Sequence, residues 1–275
     1  MKASGQERTK IGLFRRIKML ISRINTPADM TEGAPWKGIL AFSVPMLLGN
    51  LAQQLYNTVD SIVVGNYVSK QALAAVGSTT SLINLFINLF VGLSVGANVV
   101  VAQDLGAGRE KEANRAVHST ILIAMISGVF LLVMGQLLSR QMLEWMDSPE
   151  SVIDLATLYL KVYFLGMPAT MVYNFGAALL RSVGDTRRPL VYLTIAGVVN
   201  VCLNMVLVIV FHLDVVGVGV ATVASQVVSA VLVVRCMLKE DGDIHLDLRQ
   251  LRIHADKMKS ILRVGLPAGL QGTLF

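Results

Sequence analysis

Charge is scarce in this chain. Only 15% of its 275 residues are Asp, Glu, Lys or Arg, against about a quarter in ordinary soluble domains. Cysteine is scarcer: Cys202 and Cys236 are the only two, which excludes a disulfide framework and a thiolate metal centre. The four histidines, His118, His212, His245 and His254, have no ligand spacing with one another and are assigned no chemistry. There is no Walker motif, no catalytic triad and no phosphate-cradling loop. The segment GAGRE at 106–110 is glycine-rich but lacks the Lys-Ser/Thr of a P-loop and reads as a turn. Alternating polar–apolar segments of about ten residues, the signature of a membrane barrel, are also missing. Nothing in this inventory supports an enzyme or an organic cofactor.

What is present is apolar. Hydrophobic residues make up 54% of the chain and mean hydropathy is +0.62. The charges cluster, and between the clusters lie runs longer than the roughly 18 residues that mark a membrane-spanning helix. The pattern predicts an all-α integral membrane protein with six spans, near 39–66, 75–104, 116–140, 153–180, 189–211 and 215–238, and a seventh beginning near 258. The lipid bilayer is therefore its first expected partner.

Orientation follows from Lys and Arg. The N-terminal stretch, the loops after spans two and four and the region after span six hold 21 of the 24 basic residues; the other three, Lys70, Arg140 and Lys161, fall toward the opposite side. This predicts a multi-pass protein of the cytoplasmic membrane with its N-terminus in the cytoplasm. The net charge of +6 is this bias summed and implies no nucleic-acid partner. Within residues 1–29, Leu13, Phe14, Ile17, Leu20, Ile21 and Ile24 recur at helical spacing among basic residues. A basic amphipathic helix on the membrane surface and a mobile tail both fit.

An internal echo organises the chain. WKGILAFSVPMLLGN (36–50) lies over MKSILRVGLPAGLQG (258–272), matching Lys37 with Lys259, Ile39-Leu40 with Ile261-Leu262, Pro45 with Pro267 and Leu48 with Leu270. Six spans separate the copies, so both enter the membrane from the same side. The repeat is then parallel, an arrangement used by secondary transporters. The expected layout is a basic tail (1–36), a six-helix transporter lobe (37–240), a linker (241–257) and the start of a second lobe (258–275). On this reading the chain is the first half of a two-lobe architecture, and a C-terminal lobe is its missing partner.

Polar residues recur inside the spans. Asn50, Gln53, Asn57 and Asp60 share one face of span one; Ser81, Asn84 and Asn88 share one of span two, followed by the small-residue pair Gly92 and Gly96. Span four carries Tyr159, Tyr163, Thr170 and Asn174, with a kink expected at Pro168; span five carries Gly197, Asn200 and Asn204; span six carries Thr222, Ser225, Gln226 and Ser229. Singly such residues are interhelical glue. Together they predict a polar cavity, with Asn57, Asn84, Asn88, Tyr159, Tyr163 and Asn174 as candidate lining. Asp60 differs in kind. It is the only acid in the body of any span, and a lone charge there costs about 2.5–3.5 kcal/mol on insertion scales. No Lys or Arg lies at its depth, so a proton or a bound cation is the expected partner.

At these residues the chain resembles a known family. QQLYNTVDSIVVGNYVSKQALAAVG, GANVVVAQDLGAGREKEANRAV, LLRSVGDTRRPL and VVNVCLNMVLVIVFHLDVVGVGVATVASQ together look like the multidrug and toxic compound extrusion (MATE) family, in order, from about Thr31 onward. The resemblance implies two six-helix lobes around a central cavity. It implies export of small organic, often cationic, compounds in exchange for H+ or Na+. It also implies an ion-coupling cluster of Asp60, Gln53, Asn200, Asn204 and Thr222, with Na+, if that is the ion, at Asp60, Asn200 and Thr222. The family often has Asp where this chain has Asn204, which leaves one titratable group in the cluster and the identity of the ion open. A lipid-linked saccharide flippase of related plan is the alternative, but it would carry many basic residues in its cavity; a channel or receptor and an inactive fragment are the others.

Overall fold

The computed structural model describes residues 35–240, 242 and 244–274. The amphipathic stretch read within 1–29 lies outside them. The described chain is helical throughout: α1 (Pro35–Tyr67), α2 (Lys70–Gly106), α3 (Glu110–Trp145), α4 (Glu150–Leu165), α5 (Met167–Ser182), α6 (Arg187–Asn204), α7 (Asp214–Lys239) and α8 (Ala255–Leu274). A π-helical turn, Met205–Val210, extends α6, and a 3-10 turn, Leu248–Gln250, interrupts the segment before α8.

Five of these elements are each long and apolar enough to cross a membrane, and α4 with α5 makes a sixth if the pair is one bent span. The bend is 49°. It falls at Gly166, just before Pro168, whose ring cannot continue the hydrogen-bond ladder of the helix before it. The kink expected in span four is therefore there, as a full break between two helices. The π turn after Asn204 has no comparable sequence signal. Phe211 N–H reaches back to the Val206 carbonyl at 3.1 Å, the wide ring of that geometry.

Two of the loops close with the same device. Gly108 (φ 69°) and Gly184 (φ 80°) hold the left-handed conformation that ends a helix cheaply only in glycine. Gly108 N–H bonds to Leu105 O at 2.9 Å and Arg109 N–H to Asp104 O at 2.9 Å; Gly184 N–H bonds to Arg181 O at 3.0 Å and Asp185 N–H to Leu180 O at 3.0 Å. These paired bonds satisfy carbonyls that the helix leaves open. GAGRE is thus a turn, as read.

Inside the bundle α2 packs against α3, α4, α5 and α8, α7 packs against α4, α5 and α6, and α1 leans mainly on α6. The core is centred on Phe164, Phe175, Leu131, Leu160, Met171 and Leu179, all fully buried. Large apolar side chains such as Leu51, Leu55, Phe130, Leu137 and Val198 face outward. In lipid such a surface is at home, and the core is held by close packing and not by escape from water.

The segment after α7 is pinned back onto the bundle. The His118 ring accepts from Asp247 N–H at 3.1 Å and contacts Asn114 O at 2.9 Å through its other nitrogen, so Nδ1 carries the proton. Ser119 Oγ donates to Arg252 O at 3.2 Å and accepts from His254 N–H at 3.0 Å. Lys257 Nζ then pairs with Asp104 at 2.7 Å and Glu112 at 3.1 Å, while Arg109 covers Asp104 from outside at 2.9 Å. From this anchor α8 runs along α2. A Cβ built on Gly96 would lie 2.5 Å from Ile261 O and 2.7 Å from Gly265 N, and one on Gly92 would strike Gly269 backbone. The small-residue pair read in span two is the place where backbones meet.

Candidate functional site

Asp60 sits on α1 and is only 7% exposed. Its carboxylate accepts a hydrogen bond from Asn204 Nδ2. The same Nδ2 donates to Asn200 Oδ1 at 3.2 Å, and Asn200 Nδ2 donates to Thr222 Oγ1 at 3.3 Å. Thr222 in turn donates to Val218 O at 3.0 Å. Asn200 and Asn204 are completely buried. Their i, i+4 spacing on α6 stacks them on one face, and Thr222 comes from the adjoining face of α7. Three helices thus converge on one carboxylate, and among the described residues no Lys or Arg pairs with it.

One atom in this cluster is unpaired. Asn204 Oδ1 is buried and has no hydrogen-bond partner, a condition that costs roughly 1–3 kcal/mol. An orphan acceptor beside a carboxylate makes a donor set for a cation or a proton, not for an anion. Oxygen-only coordination also suits a hard monovalent ion, whereas no group of three or more His, Cys, Asp or Glu that would hold a transition metal occurs among the described residues. Asn204 Oδ1 is the open oxygen of the cluster, next to the Asp60 carboxylate, whereas Thr222 Oγ1 already accepts from Asn200 and donates to Val218 O. The Asn200 oxygen, read from the sequence as a sodium ligand, is already taken by the Asn204 amide.

Beside the cluster lies a cavity of about 500 Å³ between α1, α2, α5, α6 and α7, reached also by Tyr163 of α4. Gln53, Asn57, Asn84, Asn88, Tyr163 and Asn174 line it, together with Ser225, Gln226 and Ser229 of α7. Asp60, Asn200, Asn204 and Thr222 do not; they form a separate buried site behind the wall. Gln53, expected with Asp60, lines the cavity instead: seven residues, about two turns of α1, separate the two. Tyr159 is also placed differently from the expectation. It is buried in the core, its ring 6.1 Å from that of Tyr163, against α7 and not against the cavity.

Two lining residues were not singled out from the sequence. Tyr173 donates to Pro189 O at 3.0 Å and faces the cavity. Arg181 is the only charged residue in the wall among the described residues. The stripe of Thr170 and Asn174 on α5 continues to Arg181 seven residues on, and that spacing carries the signal.

Long apolar helices, a polar cavity opening between them and a buried, unpaired carboxylate together define a multi-pass membrane transporter lobe. The comparisons give the family. The model for MatE matches residues 45–206, more than half of the sequence, and the chain belongs to the multidrug and toxic compound extrusion (MATE) family, a family of transporters. It is 28% identical over 242 residues to the Probable multidrug resistance protein YoeA of Bacillus subtilis (strain 168), covering 86% of this chain and 52% of that protein. Among solved structures it superposes on a MATE protein in the bent conformation with a TM-score of 0.81 at 29% identity, covering 86% of this chain and 53% of the other. It superposes with a TM-score of 0.80, again at 29% identity, on the outward-facing conformation of a multidrug resistance MATE family transporter of the MOP superfamily, covering 87% and 53%. The chain spans about half the length of the curated relatives it matches, which corresponds to one lobe of the MATE fold.

Proposed function

We propose that this chain supplies the ion-coupling lobe of an exporter that trades H+ or Na+ for an organic solute by alternating access across the cytoplasmic membrane, with its N-terminus in the cytoplasm. The observation that carries the reading is the Asp60 cluster: a carboxylate buried in a membrane span, partnered by amides alone, with the Asn204 oxygen left over. A proton on Asp60, or a sodium ion between Asp60 and the open Asn204 oxygen, completes it, and Asn200 orients the Asn204 amide that both share. Filling the site draws α1 toward α6 and α7. Because α1 also walls the cavity through Gln53 and Asn57, that movement reshapes the solute side. Coupling then needs no contact between ion and solute. A second six-helix lobe would complete the solute path. The flippase alternative is disfavoured by the cavity wall, which holds one arginine where a carrier of polyanionic lipid would need many.

The test uses the chain reconstituted in lipid nanodiscs. Replacing choline chloride by sodium chloride at constant ionic strength, or lowering the pH, should raise the thermal midpoint of the wild type. Asp60→Asn should remove that response while the protein still elutes as a single species. In the two-lobe transporter the same change should abolish ion-driven efflux with expression intact. Normal efflux in that variant sinks the proposal.

A further inference from the structure

Among the described residues, the cavity wall contains Asn, Gln, Ser, Thr and Tyr in number, no Asp or Glu, and one permanent charge, Arg181. Three arginines lie close together in sequence here, and their surroundings differ. Arg188 is held by Asp185 and by Glu240 at 2.5 Å, with its guanidinium also 3.1 Å from Cys236 Sγ. Arg187 is exposed. Arg181 faces the cavity, half-buried, and its guanidinium has no hydrogen bond or ion pair among the described residues; Tyr173 is its electrostatic neighbour, and the Tyr173 hydroxyl is committed to Pro189 O.

Membrane topology accounts for an arginine at this end of the bundle. It does not account for the direction of the side chain. An arginine serving topology alone extends its charge to the headgroups, whereas Arg181 continues the Thr170–Asn174 face into the cavity. A guanidinium withdrawn from bulk water without an anion is costly, and its planar fork of donors matches a carboxylate or sulfonate. The amides around it can hydrogen-bond the neutral parts of a solute but cannot neutralise a cation.

We infer that Arg181 is the anion-binding subsite of the cavity, and that the solute carried on this lobe is an organic anion or a zwitterion presenting a carboxylate or sulfonate. This rests on the reading of the cavity as a solute site. It narrows that reading away from simple organic cations, for which the described cavity wall offers no counter-charge.

The experiment compares two dyes that share a xanthene core and differ in charge, 6-carboxyfluorescein and rhodamine 123, by fluorescence anisotropy on the full chain in nanodiscs. The wild type should bind the anionic dye at least about tenfold more tightly, the scale of one charge-assisted bidentate contact. Arg181→Gln should weaken carboxyfluorescein binding and erase that preference while rhodamine 123 binds at least as well as before, and Arg181→Lys should restore part of the preference, which separates a charge effect from damage to the fold. Carboxyfluorescein binding unaltered in Arg181→Gln, or an equal loss for both dyes, overturns the inference. Asn174→Leu distinguishes the two levels of the argument. If it weakens both dyes while Arg181→Gln does nothing, the cavity stands as a solute site and only the anion subsite falls. If neither dye binds the wild type, both readings fall.

Discussion

The α2–α8 seam gives a quantitative prediction. A methyl group added at Gly96 would lie 2.5, 2.7 and 2.8 Å from Ile261 O, Gly265 N and Gly265 Cα. All three are backbone atoms that cannot swing aside. Reaching an ordinary contact of 3.4 Å requires α8 to move by about 0.9 Å, and that shift also loosens the facing contact of Gly92 with Gly269. Overpacking of this kind costs about 1–3 kcal/mol. Gly77 lies on the same helix, where a Cβ would meet nothing within 4 Å. There, alanine brings only its helix-propensity gain, about 0.5–1 kcal/mol. The readout is trypsin cleavage at Arg249 and Arg252, in the segment that α8 and its ion pairs hold down, followed by mass spectrometry of the chain in nanodiscs. When opening is fast relative to cleavage, the rate tracks the open population. Gly96→Ala should therefore speed cleavage by roughly tenfold for a net loss near 1.4 kcal/mol, and Gly77→Ala should leave it at or below the wild-type rate. Equal rates in the two variants would refute the close approach of α8 to α2.

The other predictions concern single charges. Lys257→Met leaves the buried Asp104 carboxylate with only the exposed Arg109; breaking a buried pair costs about 3–5 kcal/mol, so even with that residual partner the same cleavage should accelerate at least about tenfold, and an unchanged rate would show the anchor to be idle. Asn204→Asp puts a second carboxylate against Asp60, and two negative charges in contact repel unless a cation lies between them. The sodium-induced rise in thermal midpoint should then exceed that of the wild type, and a smaller response would contradict the assignment of Asn204 to the cation site.

Much of this architecture is written locally. Apolar runs between basic clusters mark the spans because length and hydropathy alone decide what crosses a bilayer. The break before Pro168 and the turns at Gly108 and Gly184 follow from the backbone limits of those residue types. The convergence of Asp60, Asn200, Asn204 and Thr222 came from the resemblance and from polar residues placed one turn apart. Other features depend on which helix meets which. Asp104 and Lys257 are 153 residues apart, and no local pattern pairs them; Asp104 reads as an ordinary charge at a span end. Gly92 and Gly96 announce a close neighbour without naming α8. Gln53 and Tyr159 were misplaced because a shared helical face does not say where along its length the cavity begins and the packed wall takes over. The π turn after Asn204 leaves no trace in sequence, since the residues Met205–Val210 serve an α-helix equally well.

The cavity has an electrical consequence. At about 500 Å³ and lined largely by amides, it has room for on the order of 15 waters at bulk density. Such a pool conducts as an extension of the solution it opens to, so little of the membrane potential falls across it. The drop concentrates instead in the dry protein around it, including the shell that contains Asp60, three residues and about 4.5 Å of helix rise from the lining residue Asn57. An ion moving between pool and carboxylate would cross a short distance in a steep field, with up to about 2.3 kcal/mol per charge per 100 mV at stake over the full drop. The depth of the water, as much as the chemistry of the carboxylate, sets how strongly voltage bears on that step.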